Sequence, residues 1–391
     1  MKSIALGLGA ALVVTLIAPA LPAAAAPGWG ACPASPDPRQ QCATIQVPLD
    51  YVNPAGPTIP LTISRLRTAL PGQRRGDLFL VPGGPGNSGL NGPAQDATRL
   101  PQAVLDEYDL IGFDPRGVGA SSPVSCDLPP AEQDVFQWPA PNGDISGNVA
   151  IAKATARDCV RNGGPVLRTI STETEARDID SIRAALAQQT ISYWALSYGT
   201  YAGALYATMF PQHTDRVLLD SSHEQDPSTE EAEWMAAWGP STEIRFPDFA
   251  NWASQPTNPA RIADDPADVR TDFLALAARL DTNPIPWPGA NPPELTGNAL
   301  RQFMFQSLYT NSAFPGLANL ILAAEADGPL PAPRNPPQAV LQNTDAVSIA
   351  TICDDVRFPD SIATYANDVA VNRVDYPLTG GMPANITPCS F

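Results

Sequence analysis

The stretch "ISYWALSYGTYAG", residues 191–203, constrains this chain more than any other. Its first six residues are mostly aromatic and aliphatic and read as a buried strand. Ser197 then stands at a turn, and Gly199, Ala202, Gly203 and Ala204 open a helix of small residues. A strand that passes so abruptly into a helix needs a sharp turn. Small side chains let that helix lie close to the strand. Both features belong to a sheet covered by helices, the mostly parallel α/β arrangement.

The flanking sequence repeats this alternation. Residues 43–47 and 58–67 alternate apolar with polar and read as a leading antiparallel pair. Residues 77–81, 108–114 and 216–220 read as further buried strands. "STETEARDIDSIRAAL" places Ile179, Ile182 and Leu186 at helical spacing behind Ser and Thr caps. Residues 27–222 therefore form the expected core. From 223 to 345 the pattern changes to helix-like pieces between proline-rich loops, with no strong strand. This predicts a helical cap inserted over the sheet. Residues 346–391 form a return segment, and the chain shows no internal repeat.

Charge narrows the function classes. The chain has 391 residues, 23 basic and 40 acidic side chains, and a net charge of −17. A nucleic-acid partner would need a basic surface, so that class is excluded. Residues 1–26 read as an export leader: Lys2, the apolar run "IALGLGAALVVTLIAPAL", then "PAAAAP" with cleavage near Ala26. A membrane anchor is the alternative, disfavoured by Pro19 and Pro22. No later stretch is long and apolar enough to span a bilayer, so no stable membrane association is expected after cleavage. An even set of six cysteines in an exported chain predicts disulfides. Pairing neighbours through local loops gives Cys32–Cys42, Cys126–Cys159 and Cys353–Cys389. No CxxC or Cys/His cluster is present, so neither a metal nor another cofactor is expected.

The chemistry centres on Ser197. In the G-x-S-x-G elbow a serine hydroxyl is presented at a strained strand-to-helix turn. Here Ala195 replaces the first glycine. S-x-G alone is common, and a buried structural serine is the bland alternative; the strand before and the helix after it carry the functional reading. "PGGPG", residues 82–86, follows an earlier buried strand. Its Gly84 N–H, with the Tyr198 N–H, is placed to stabilise an oxyanion, although a simple tight turn would use the same residues. Asp114 and Arg116 read as a buried structural pair. A serine also needs a base, and the chain has two histidines. His213 precedes a strand and belongs at the far end of the sheet. His223 follows it, should emerge on the nucleophile's side and is the better placed of the two as a base, with Asp226 or Glu224 to orient it, although the triad order of this fold is Ser, acid, His. The run "HEQDPSTEEAEW" reads as a solvated helix start. Its alternative role is capture of a substrate ammonium by Glu230, Glu231 or Glu233.

Taken together, "VPLDY", "PGGPGNSG", "DLIGFDPRGVGASSP", "DIDSIRAAL", "ALSYGTYAGALYATMFP", "RVLLD", "TICDD" and "PCSF" carry a resemblance. The chain resembles α/β-hydrolase-fold serine peptidases of the proline iminopeptidase and secreted tripeptidyl aminopeptidase type, over essentially the whole mature part. The resemblance implies hydrolysis of peptides from a free amino terminus, with Ser197 as nucleophile and Gly84 and Tyr198 as oxyanion donors. Members of that family continue beyond the "PC" segment with two more core strands, which carry an aspartate and a histidine. The expectation is therefore a sheet lacking its last core strands, with an unpaired edge on "RVLLD" and a Ser197 without its acid and base. An esterase or lipase of the same fold, and a non-catalytic binding protein, are the competing functions.

Overall fold

The computed structural model describes residues 26–391, apart from 34, 134, 223–225, 227 and 334. The expected leader lies outside these residues except for Ala26, and so does His223.

Seven strands form one sheet: β1 (Gly30–Ala31), β2 (Gln41–Pro48), β3 (Thr58–Leu66), β4 (Gly76–Val81), β5 (Tyr108–Phe113), β6 (Ile191–Leu196) and β7 (Thr214–Asp220). Their order is β1-β2-β3-β5-β4-β6-β7. The expected hairpin is β2–β3, antiparallel from Gln41 opposite Arg65 to Pro48 opposite Thr58. Its alternation is real: Ala43, Ile45 and Val47 are buried, while Thr44 and Gln46 face solvent. β5, β4, β6 and β7 run parallel to one another. Parallel neighbours need crossovers, and helices supply them.

Those helices are α1 (Gly92–Asp96), α2 (Gln102–Glu107), α3 (Ser146–Asn162), α4 (Gly164–Leu167), α5 (Thr172–Ala185) and α6 (Gly199–Met209). The start of α5 is fixed by a capping box. Ser171 Oγ accepts from the Thr174 N–H, and the Ser171 N–H donates to Thr174 Oγ1. Ile179 and Ile182 then meet Phe79, Val81 and Tyr193 of the sheet.

The expected Asp114–Arg116 pair does not form. Ser88 Oγ and the N–H groups of Leu90 and Ala120 fill the Asp114 carboxylate. The Arg116 guanidinium turns instead to Asp178 on α5, donating at 2.7 Å to each of its oxygens. The two residues are nearly adjacent in sequence, but loop backbone satisfies one of them and leaves the other free to reach across.

The cap comprises α7 (Glu230–Ala253), α8 (Pro266–Thr282), a two-stranded ladder of β8 (Ile285–Pro286) and β9 (Glu294–Leu295), α9 (Gly297–Ser307) and α10 (Phe314–Glu325). It has its own core, built on Phe246, Phe249, Phe273, Leu300, Phe314 and Ile321. The ladder was not expected, because two-residue strands are too short to show alternation. Next come α11 (Gln338–Asp355) and α12 (Ile362–Asp375). The first begins well before the expected boundary at 345. Pro336 and Pro337 end the cap, and Val347 and Ile349 pack with Val118, Val124 and Ile170 of the core loops.

All six cysteines are bridged, as Cys32–Cys42, Cys126–Cys159 and Cys353–Cys389. No helix among the described residues is long and apolar enough to cross a membrane. β7 closes the sheet order, and its Val217 and Leu218 are 42% and 57% exposed.

Candidate active site

The strand–serine–helix turn folds as its sequence implies. Ser197 has φ of 55°, in the left-handed region that a non-glycine residue rarely occupies. Such a residue costs about 1–3 kcal/mol and persists only where its surroundings impose it. Here β6 fixes one side and α6 the other. The Ser197 N–H donates to the Asp220 carbonyl at 2.9 Å, at the end of β7.

Close approach explains the glycines. A Cβ on Gly199 would lie 2.5 Å from the Pro82 carbonyl oxygen, so only glycine lets α6 start against the end of β4. A Cβ on Gly83 would lie 3.0 Å from Ser197 Cβ, which places the loop after β4 directly beside the serine. Ala195, where the elbow pattern has its first glycine, is fully buried. Its methyl carbon lies 3.1 Å from the position that a Cβ on Gly203 would occupy. The methyl lost from α6 makes room for the methyl gained on β6.

Gly84 follows Gly83 with φ of 126°, and Gly86 has φ of 93°. This loop is braced by α11, whose Ser348 Oγ donates to the Pro85 carbonyl at 2.7 Å. Gly83 is thus the glycine packed on Ser197, with Gly84 next in the chain. Tyr198 stands at the N-cap of α6, where backbone N–H groups have no intrahelical acceptor.

Neither histidine is seen beside Ser197 among the described residues. His213 precedes β7, at the opposite end of the parallel pair from Ser197. Six strand residues separate the two ends, roughly 20 Å at about 3.3 Å per residue. His213 Nδ1 lies 2.6 Å from Asp180 Oδ1 and is occupied there. His223 lies outside the described residues.

The acidic run divides. Glu233 is exposed and accepts from Thr229 Oγ1 at 2.9 Å, as a solvated helix start would. Glu230 and Glu231 are instead 5% and 1% exposed, so the solvated reading fails for both. Their carboxylates turn inward because the first turn of α7 packs on the core: Met235, one turn on, joins Ile352 and Val356 in a buried cluster.

Behind Tyr198 lies a carboxyl cluster that sequence reasoning did not find. The Thr172 N–H donates to Asp355 Oδ1 at 3.0 Å, and Thr172 Oγ1 donates to Asp355 Oδ2 at 2.5 Å. Thr172 Oγ1 also lies 2.6 Å from the Tyr198 phenol oxygen, which is 3.2 Å from Glu175 Oε2. Glu231 faces Asp355. Burial pushes the carboxyl of Glu175 up to about 8, that of Glu230 to about 7 and that of Glu231 to about 9, with Asp355 adding to the rise at Glu231. Burial also raises Asp355, and burial with the charge of Glu175 raises the Tyr198 phenol. "TICDD" was conspicuous as a motif, but nothing local linked its last aspartate to the serine.

No group of three or more His, Cys, Asp or Glu side chains among the described residues is arranged to hold a metal ion. A strained serine between strand and helix, with a glycine loop against it, defines the serine hydrolases of α/β architecture. The chain belongs to the alpha/beta hydrolase fold family, whose model matches residues 78–303. It is 32% identical to the tripeptidyl aminopeptidase of Streptomyces lividans over 382 residues, which span 92% of this chain and 69% of that protein. It is 35% identical to the serine protease Hip1 of Mycobacterium tuberculosis over 204 residues, 51% of this chain and 39% of that one. Carboxylesterase B of Mycobacterium tuberculosis is 29% identical over 349 residues, 86% of this chain and 62% of its own. The fold and the peptidase kinship expected from the sequence are therefore established.

Proposed function

We propose that this chain is an exported serine exopeptidase that takes peptides by their free amino terminus, with Ser197 as nucleophile and the N–H groups of Tyr198 and Gly84 as oxyanion donors. One observation carries the reading. Glu175 contacts the phenol of Tyr198, the residue that follows the nucleophile, Asp355 is joined to it through Thr172, and Glu231 lies close enough for its charge to act on that phenol. Buried acids without matching cations are costly unless something compensates them. A peptide ammonium is the matching charge, and it would hold the chain end at a fixed distance from Ser197. The name of the Streptomyces relative fits this reading. Three disulfides and an export-type leader support secretion.

Carboxylesterase B supports a second reading, an esterase, for which the carboxyl cluster has no use. Two measurements on the whole chain separate them. A fluorophosphonate probe should label Ser197, and Ser197→Ala should abolish the label. Unchanged labelling in that variant would remove Ser197 from the proposal. In the Ser197→Ala background, a free-amine tripeptide amide should bind at least tenfold more tightly than its N-acetyl form. Equal binding would favour the esterase.

A further inference from the structure

Donor accounting in the cluster goes further than the amine reading, on which this inference rests. Thr172 has one hydroxyl hydrogen, and its 2.5 Å contact with Asp355 uses it. The 2.6 Å contact between Thr172 and Tyr198 must then take its hydrogen from the phenol. Two hydroxyl hydrogens cannot serve the contact between the phenol and Glu175, 3.2 Å long, as well as the other two, so one end carboxyl must carry a proton, and Glu175, pushed up to about 8 by burial, is the end that does. The hydrogens run one way, from Glu175 through Tyr198 and Thr172 to an ionised Asp355. Glu231 closes the far side. It is 1% exposed, and neither of its carboxyl oxygens meets a donor. Against an ionised Asp355 it satisfies both groups only as an acid that donates to it.

We propose that Glu231 and Asp355 share a stored proton, and that peptide binding exchanges this proton for the ammonium of the peptide. In balanced form, a protonated amine enters between the Glu231 carboxyl and the Asp355 carboxylate. The Glu231 O–H bond breaks, its electron pair stays on the carboxylate, and one proton leaves to solvent. Two carboxylates then flank one ammonium. Asp355 becomes a specificity residue, and Thr172 and Glu175 become positioning residues that tie the pocket to Tyr198.

The charged and titratable surroundings agree. On α7, Glu230 is buried and Glu233 exposed. On α11, Asp354 adjoins Asp355. On α5, Asp178 is neutralised by Arg116, and α6 contributes Tyr198 and Tyr201. Asp226 stands before α7. Among the described residues, Arg116 is the cation that acts on Glu175, and it is already engaged with Asp178. The upward shifts of Glu231 and Glu175 have the sign that proton storage requires.

The test is calorimetric titration of the Ser197→Ala chain with a free-amine tripeptide amide at pH 6.5, in phosphate and in Tris. At that pH the peptide amine is already protonated. The difference in apparent enthalpy between the buffers should report about one proton released per peptide bound. Glu231→Gln should reduce the release to near zero, while Glu233→Gln leaves it intact. Tighter binding of the free amine without proton release would overturn the exchange and leave the amine reading standing. Equal binding of free and N-acetyl peptides would overturn both. Proton release by calcium chloride, with none by peptide, would overturn the exchange in favour of a metal site. If Glu231→Gln fails to fold, release by the parent chain still decides the matter.

Discussion

Ala195 and Gly203 show how one residue pair reconciles a departure from a motif with its geometry. A second methyl on α6 would come 3.1 Å from Ala195 Cβ and 2.9 Å from the Tyr193 ring. Gly203→Ala should therefore destabilise the chain by about 1–3 kcal/mol, as overpacking does. Adding Ala195→Gly should recover part of that loss, because the two positions share one space. Urea unfolding of both variants checks this, and strictly additive effects would show that the two do not compensate. The Ser197 turn was legible because the strand, the serine and the small-residue helix start that mark it are consecutive in the chain, although Gly83 and the Asp220 carbonyl that close on it are not. Asp355 was not, because Thr172, its main partner, is 183 residues away. Arg116 was misread for the same reason: its partner sits 62 residues off on α5 rather than two residues back.

At the scale of elements, the strands and helices of the core were readable from periodicity, and the cap was readable from its loss. What the sequence hid was the placement of α11, which braces the glycine loop instead of closing the cap. Two elements invite tests. Arg116 joins α5 to the β2 exit through Asp178 and the carbonyls of Pro48 and Leu49. Arg116→Ala would strand a buried carboxylate and should cost about 3–5 kcal/mol, measured by urea unfolding. A loss below about 1 kcal/mol would show that water or a neighbour replaces the guanidinium. β7 presents the exposed side chains of Val217 and Leu218 on the last strand of the sheet. Apolar edge strands promote association, and a lysine there opposes it. Leu218→Lys should lower the sedimenting mass at high protein concentration without lowering the melting temperature. An unchanged mass would mean that this edge is not where copies meet.

For the molecule as a whole, buried acids and a net charge of −17 act in the same direction. Glu175 is pushed up to about 8, whereas an unfolded glutamate titrates near 4.5. Below about pH 4.5 both states are protonated and the group costs nothing. As pH rises towards 8, the unfolded state ionises first, so stability falls by up to about 1.4 kcal/mol per pH unit for this group. The chain should melt at a higher temperature at pH 5 than at pH 8, and Glu175→Gln should flatten that slope. A melting temperature that rises across the same interval would contradict the protonated cluster.

The bridge between Cys353 and Cys389 anchors the last turn of α11, two residues before Asp355. Cys389 packs in the same cluster as Met235 and Trp238 of α7, the helix that opens with Glu230 and Glu231. The two helices that carry Glu231 and Asp355, α7 and α11, therefore meet at one covalent link, while no cysteine adjoins the Ser197 turn itself. Such a molecule would mature in two stages. The Ser197 turn would form when the sheet folds, in any compartment. In the amine-capture role proposed above, the acid cluster would be finished only where thiols oxidise. On that proposal, a copy held in a reducing cytoplasm would be unable to recognise the termini of the nascent chains around it.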